Sequence, residues 1–152
     1  MLETLRARAR DARGFTLIEL LVVVLVIGVL AAIAIPTFLG QSLKAKDASA
    51  KSNVKRLSGM IEECKVQSQS ASYAMCNSDA ELGNTPGLDW GGQPGNVGMF
   101  AAGGQTYIAY GVSDSKTGAA SHMFYIVKDN NGIAHRICTP ASAGGCPAGN
   151  YW

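Results

Sequence analysis

The hydrophobic pattern of this chain changes character near residue 40. From Leu20 to Ile35 every residue is Leu, Val, Ile or Ala except Gly28, and Phe38 and Leu39 carry the run past Pro36. Roughly twenty apolar residues rising ~1.5 Å each cover the ~30 Å hydrocarbon core of a bilayer. Residues 15–40 are therefore expected to form a membrane-spanning helix. Beyond them Leu43, Val54, Leu57, Ile61 and Cys64 include spacings of three, four and seven, which make one apolar stripe. Lys44, Lys46, Asp47, Lys51, Lys55, Arg56, Glu62 and Lys65 occupy the other faces. Residues 41–69 thus read as an amphipathic continuation, and residues 15–69 as a single helical spine of roughly 80 Å. No small domain needs such a helix for its own core, so the first half has to be buried in something else.

After residue 70 the pattern is no longer helical. Residues 68–72 are small and polar, and residues 83–104 hold eight glycines with Pro86 and Pro94. Residues 70–104 are expected to be a Gly-rich loop region with little regular structure, tied to the body by Trp90 and Phe100. Residues 106–113, 123–128 and 133–139 are rich in β-branched and aromatic side chains and read as strands. Asp129-Asn130-Asn131-Gly132 separates the last two, and Asn-Gly favours a hairpin because both residues tolerate positive φ. The expected fold class is α+β: a long N-terminal helix with a small antiparallel sheet of three or four strands on its C-terminal half. Residues 105–152 supply the sheet and a disulfide-bonded tail.

Charge gives this layout a direction. Arg6, Arg8, Arg10 and Arg13 precede the apolar run, against Glu3 and Asp11 alone. An excess of arginine on that side holds the N-terminus in the cytoplasm and sends the remainder out. Ala32-Ile33-Ala34 also allows an ordinary secretory signal cut after Ala34, but the apolar run is longer than the usual signal core. Glu19 counts against that reading as well, because a signal core has no use for a charge. A carboxylate at the centre of a spanning helix costs roughly 2.5–3.5 kcal/mol, less near the interface, and marks a functional position whose partner must be sought.

The residues Arg13-Gly14-Phe15-Thr16-Leu17-Ile18-Glu19-Leu20, followed by a long apolar helix, resemble the class III leader of type IV pilins and pseudopilins. The resemblance is specific over residues 13–40, extends loosely along the following helix and is absent by motif in the C-terminal half. It implies that residues 1–14 are a cytoplasmic leader and that a prepilin peptidase cuts between Gly14 and Phe15. It implies further that Phe15 becomes the N-methylated first residue and that Glu19 stands fifth in the mature chain. In a bundle of apolar helices, Glu19 of one subunit neutralises the Phe15 ammonium of a neighbour. A matched buried pair largely offsets its own desolvation and specifies register more than it supplies stability. Gly28 and Pro36 match positions at which pilin helices loosen in filaments, and Pro36 deprives the Ala32 carbonyl of its donor.

The remaining chemistry is spare. Cys64, Cys76, Cys138 and Cys146 make an even set in an exported head, which suggests two disulfides among three possible connectivities. The pairs 64–76 and 138–146 close short loops, and pairing across the two groups stays open. Their spacing lacks the CxxC of a zinc site, so no metal is expected. His122 and His135 are expected at the surface of strands, with no catalytic role and no cofactor. Removing residues 1–14 takes away four arginines and two acids, which leaves nine basic and nine acidic residues. A neutral subunit stacks without accumulating repulsion and offers no general attraction for nucleic acid.

The function implied is that of a structural subunit, a major pilin of a surface filament. Its partners would be further copies of itself, the peptidase, an inner-membrane assembly platform and minor pilins. It would reside in the cytoplasmic membrane as precursor and outside the cell when assembled. The alternatives are a pseudopilin of a type II secretion or competence system, and a secreted disulfide-bonded binding module.

Overall fold

The computed structural model of the chain describes residues 14–69 and 72–152. Of the leader read at residues 1–14, residues 1–13 with their four arginines lie outside the described residues, as do residues 70 and 71 of the small, polar stretch. Among the described residues the elements are one α-helix, α1 (Leu17–Gln67), a 3-10 turn at Tyr73–Met75, and strands β1 (Val97–Gly103), β2 (Thr106–Thr117), β3 (Ala120–Lys128) and β4 (Ala134–Thr139). The chain divides into two compact units, up to Phe38 and from Leu39 onward, so α1 contributes to both.

In the first unit α1 is apolar on every side, and nothing among the described residues covers it. Its large hydrophobic side chains from Phe15 to Leu39 are 47–81% exposed. Pro36 stands inside the helix, which continues through it and through Gly28. The next residue, Thr37, turns its side chain back onto the helix. The Thr37 hydroxyl donates to the Ala34 carbonyl at 2.9 Å and to that of Ile33 at 3.3 Å.

The second unit is an α+β layer. Its sheet is an antiparallel meander in the order β1-β2-β3-β4. The inward face of the second half of α1 presents Ala50, Val54, Leu57 and Ile61 at helical spacing, and all four are buried. Alternate residues of the sheet meet them: Tyr107 and Ala109 on β2, Phe124 and Ile126 on β3, and Cys138 on β4. The sheet comes close to the helix at Gly111 of β2, where an added Cβ would lie 2.8 Å from the Ala50 carbonyl oxygen. Of the expected stripe, Leu43 is 38% exposed and stands outside this core.

Three expectations need correction. Residues 97–103 are strand β1 and not loop. Gly98 within it serves packing: a Cβ there would come within 2.6 Å of the Tyr110 ring. Phe100 does not tie a loop to the core. It is 63% exposed and stacks on Tyr110 of β2 at 4.4 Å between centroids. His122 is not a surface residue but is fully buried, because inward positions of β3 alternate through 122, 124 and 126. Trp90 does pack against the core. The Asp129–Gly132 turn joins β3 to β4, with Asp129 Oδ1 accepting from the backbone N–H of Asn131 and Ile133 and Gly132 at φ 80°.

Candidate functional site

The sequence directs attention to the start of α1, and local chemistry explains why the helix begins there. The Thr16 hydroxyl accepts the Glu19 N–H at 3.2 Å and donates to Glu19 Oε2 at 3.5 Å. Thr16-Leu17-Ile18-Glu19 is thus a capping pair, in which the threonine satisfies an orphan helix donor and the acid sits in the positive first turn. Sequence reasoning had not assigned Glu19 this local role, although the T-x-x-E spacing signals it. The capping contact leaves Glu19 exposed, as are Gly14, Phe15 and Gly28.

The helix behind this cap is built for an apolar environment. An 18-residue window reaches a mean hydropathy of 3.1 with no residue buried. In water such a surface would be strongly unfavourable, since each buried apolar Å² contributes about 25 cal/mol. Length and composition suit a bilayer span, and the same surface suits a bundle of like helices.

The second unit secures its end of α1 with polar groups. Asp47 is buried on the sheet side of the helix. Its carboxylate accepts from the Ser115 hydroxyl, from the Gly145 N–H at 2.6 Å and from His122 Nδ1 at 2.9 Å. Burial pushes its pKa up, but hydrogen bonds from Ser113, Ser115, Gly145 and His122 outweigh that and hold it below the usual value. One side chain therefore joins α1, β2, β3 and the loop closed by Cys138 and Cys146. Gly144, at φ 55°, lets that loop come close, since a Cβ there would lie 2.8 Å from His122 Nδ1.

Asp47, His122 and Ser115 are the residue types of a hydrolase triad without its geometry. In such a triad the acid and the serine hold opposite ring nitrogens. Here both face Nδ1, Thr117 holds Nε2 at 2.8 Å, and the group is closed to solvent. The arrangement is a structural clamp.

A second hub lies farther along α1. Glu62 accepts from the Tyr73 hydroxyl at 2.7 Å and the Tyr107 hydroxyl at 3.1 Å, and pairs with Lys128 at 3.0 Å. Partial burial raises the Glu62 pKa, and these donors more than reverse the effect. Burial and the adjoining carboxylate push the Tyr107 hydroxyl up to about 12 and raise that of Tyr73 as well. Disulfides Cys64–Cys76 and Cys138–Cys146 close loops of sequence separation 12 and 8. The first joins the last turns of α1 to the segment after the 3-10 turn, and the second shapes the loop resting on Asp47.

Comparison with known proteins bears on the helix start. A prokaryotic N-terminal methylation motif matches residues 9–35. Over 45 residues the chain is 58% identical to the type IV major pilin protein PilA of Myxococcus xanthus, which is 30% of this chain and 20% of that protein. Over its N-terminal segment the chain matches the type IV pilin and pseudopilin family. Within that family it is also 40% identical over 60 residues to the type II secretion system core protein G of Escherichia coli. The protein G of Pseudomonas aeruginosa is 37% identical over 57 residues. The chain spans less than half the length of each of these relatives, covering 41% and 40% of the two G proteins. No solved structure gives a significant match. The pilin-type reading thus rests on the N-terminal helix.

Proposed function

We propose that this chain is a major pilin: a structural subunit that polymerises through its apolar N-terminal helix into a type IV pilus on the cell surface. In this reading residues 1–14 are the leader, the peptidase cuts between Gly14 and Phe15, and Phe15 is N-methylated. Residues 15–40 are the membrane span before assembly and the filament core afterwards. The observation that carries the proposal is the uncovered apolar surface of α1 behind an acid in its first turn. That surface has to be buried twice, and helices of further copies supply the second burial. Glu19 then exchanges its local cap for the Phe15 ammonium of a neighbour, and Gly28 and Pro36 let the packed helix lengthen. The assembly platform and minor pilins are the partners such polymerisation requires.

The test is direct. N-terminal sequencing and mass spectrometry of the mature chain should read methylated phenylalanine at position 15. Glu19→Val should still insert in the membrane and give no filaments by electron microscopy. Normal fibres from that variant, or a mature chain beginning at Ile35, would sink the proposal.

A second reading has a specific observation behind it. The matches to protein G run over longer stretches than the match to the major pilin, so a pseudopilin of a type II secretion system is the alternative. Long surface fibres seen by microscopy decide for the pilus, and their absence with impaired secretion on deletion decides for the pseudopilus.

A further inference from the structure

Two surfaces of the second unit are charged in opposite senses, and neither is neutralised among the described residues. The first surrounds Trp152. Its indole donates to the Ile137 carbonyl at 2.9 Å and meets Phe124 edge-on. Three cations stand around that ring: Lys51 at 5.6 Å, Lys55 at 5.3 Å and the Arg136 guanidinium at 5.7 Å. Lys51 is occupied by the Gly145 carbonyl at 2.6 Å. Lys55 and Arg136 are exposed, and among the described residues neither pairs with a carboxylate. Like charges gathered at one ring repel, and an arriving anion relieves them.

The second surface is an open groove of about 460 Å³ beside the Cys64–Cys76 disulfide. Met60, Met75 and Leu82 give it an apolar lining, and Glu63 and Glu81 add two exposed carboxylates. Among the described residues Glu63 accepts only from Gln67, and Glu81 accepts from the Asn77 N–H. No cation pairs with either among the described residues. An apolar trough edged by carboxylates fits a lysine or arginine, whose stem lies on the apolar wall while its head reaches the acids.

At 3.6 residues per turn, Lys51 and Lys55 lie about 150° around α1 from the mean direction of Met60, Glu63, Cys64 and Gln67. The two surfaces therefore cannot meet within one subunit. The geometry points to a head-to-tail contact between copies, in which Lys55 and Arg136 of one subunit enter the Glu63–Glu81 groove of the next. A heterologous contact of this kind does not close on itself in general and propagates a helical array. It rests on the reading of the chain as a filament subunit. It adds to that reading the contact between heads, apart from the bundle of apolar helices, and explains how a subunit of balanced charge acquires a preferred neighbour.

The test uses the full chain expressed with its assembly machinery. Lys55→Glu with Arg136→Gln should reduce sheared, sedimentable filaments at least about tenfold, the factor that about 1.4 kcal/mol represents. Glu63→Lys with Glu81→Gln should do the same, Glu81→Gln retaining an acceptor for Asn77. Combining all four changes should restore filaments, which a merely structural defect would not permit. Formation of both disulfides and membrane insertion of each variant report that the heads fold. Unaltered filament yield from either double variant, or no recovery in the combined one, overturns this contact while leaving the pilin reading intact. If the unaltered chain makes no filaments at all, both fall together.

Discussion

Replacing Asp47 by alanine tests whether a single buried carboxylate fastens the helix to the sheet. The Ser115 hydroxyl, His122 Nδ1 and the Gly145 N–H all donate to that carboxylate, in a site from which solvent is excluded. Removing it takes an acceptor from three donors at once, of which Ser115 and His122 Nδ1 still face each other at 2.8 Å. Losing a bond to a buried carboxylate costs about 1–3 kcal/mol for each donor left without its partner. The losses are less than additive because the groups relax together, so a loss of about 3–5 kcal/mol is expected. For a unit of about 100 residues, 1 kcal/mol moves the melting temperature by roughly 4–8 °C, so the shift should exceed about 12 °C. Asp47→Asn keeps one acceptor oxygen and should lose about half as much. The assay is thermal unfolding of the detergent-solubilised full chain, followed by near-UV circular dichroism, to which Trp152 contributes through its contact with Phe124. The carboxyl also titrates with a definite sign. Its folded pKa lies below the ordinary 3.8, so the stability it contributes is present above that pH and is lost as pH falls through the lower folded value. The alanine variant should therefore show a shallower acid-induced loss than the parent. A drop under about 1 kcal/mol with an unchanged acid profile refutes the clamp.

The Glu62 hub should fail from the alkaline side. With Tyr107 at about 12 and Tyr73 also raised, the stability they contribute is present below their ordinary value near 10 and is lost as pH rises above it. Melting curves collected from pH ~8 to ~11 should fall for the parent and much less for Tyr73→Phe with Tyr107→Phe, and equal slopes would count against the hub. Gly111→Ala drives a Cβ to 2.8 Å from the Ala50 carbonyl oxygen and should cost about 1–3 kcal/mol, read from the same melts. Gly98→Ala should be the milder change, because it meets the Tyr110 side chain and not the helix backbone.

The elements themselves were legible because their signals are local. An uninterrupted apolar run, a stripe repeating at three and four residues, and β-branched stretches around Asn131-Gly132 each announce an element without reference to the remainder of the chain. Strand β1 was hidden because its glycines read as loop punctuation. One of them, Gly98, serves instead to admit a ring from β2, a residue twelve positions away.

The N-terminal helix could be read from sequence alone, and with it the family. An acid in the first turn and an uncovered apolar surface are properties of consecutive residues, and their meaning follows from solvation. The second unit was decided by tertiary structure. Nothing in the sequence pairs Asp47 with His122 or with Gly145, which stand 75 and 98 residues away. A buried hydrogen-bonded cluster has no periodicity to betray it, because its members are chosen by how the layers pack. The same holds for the cations around Trp152 and the acids of the groove: composition showed a balanced charge, and only the folded chain placed the two signs on different flanks of α1.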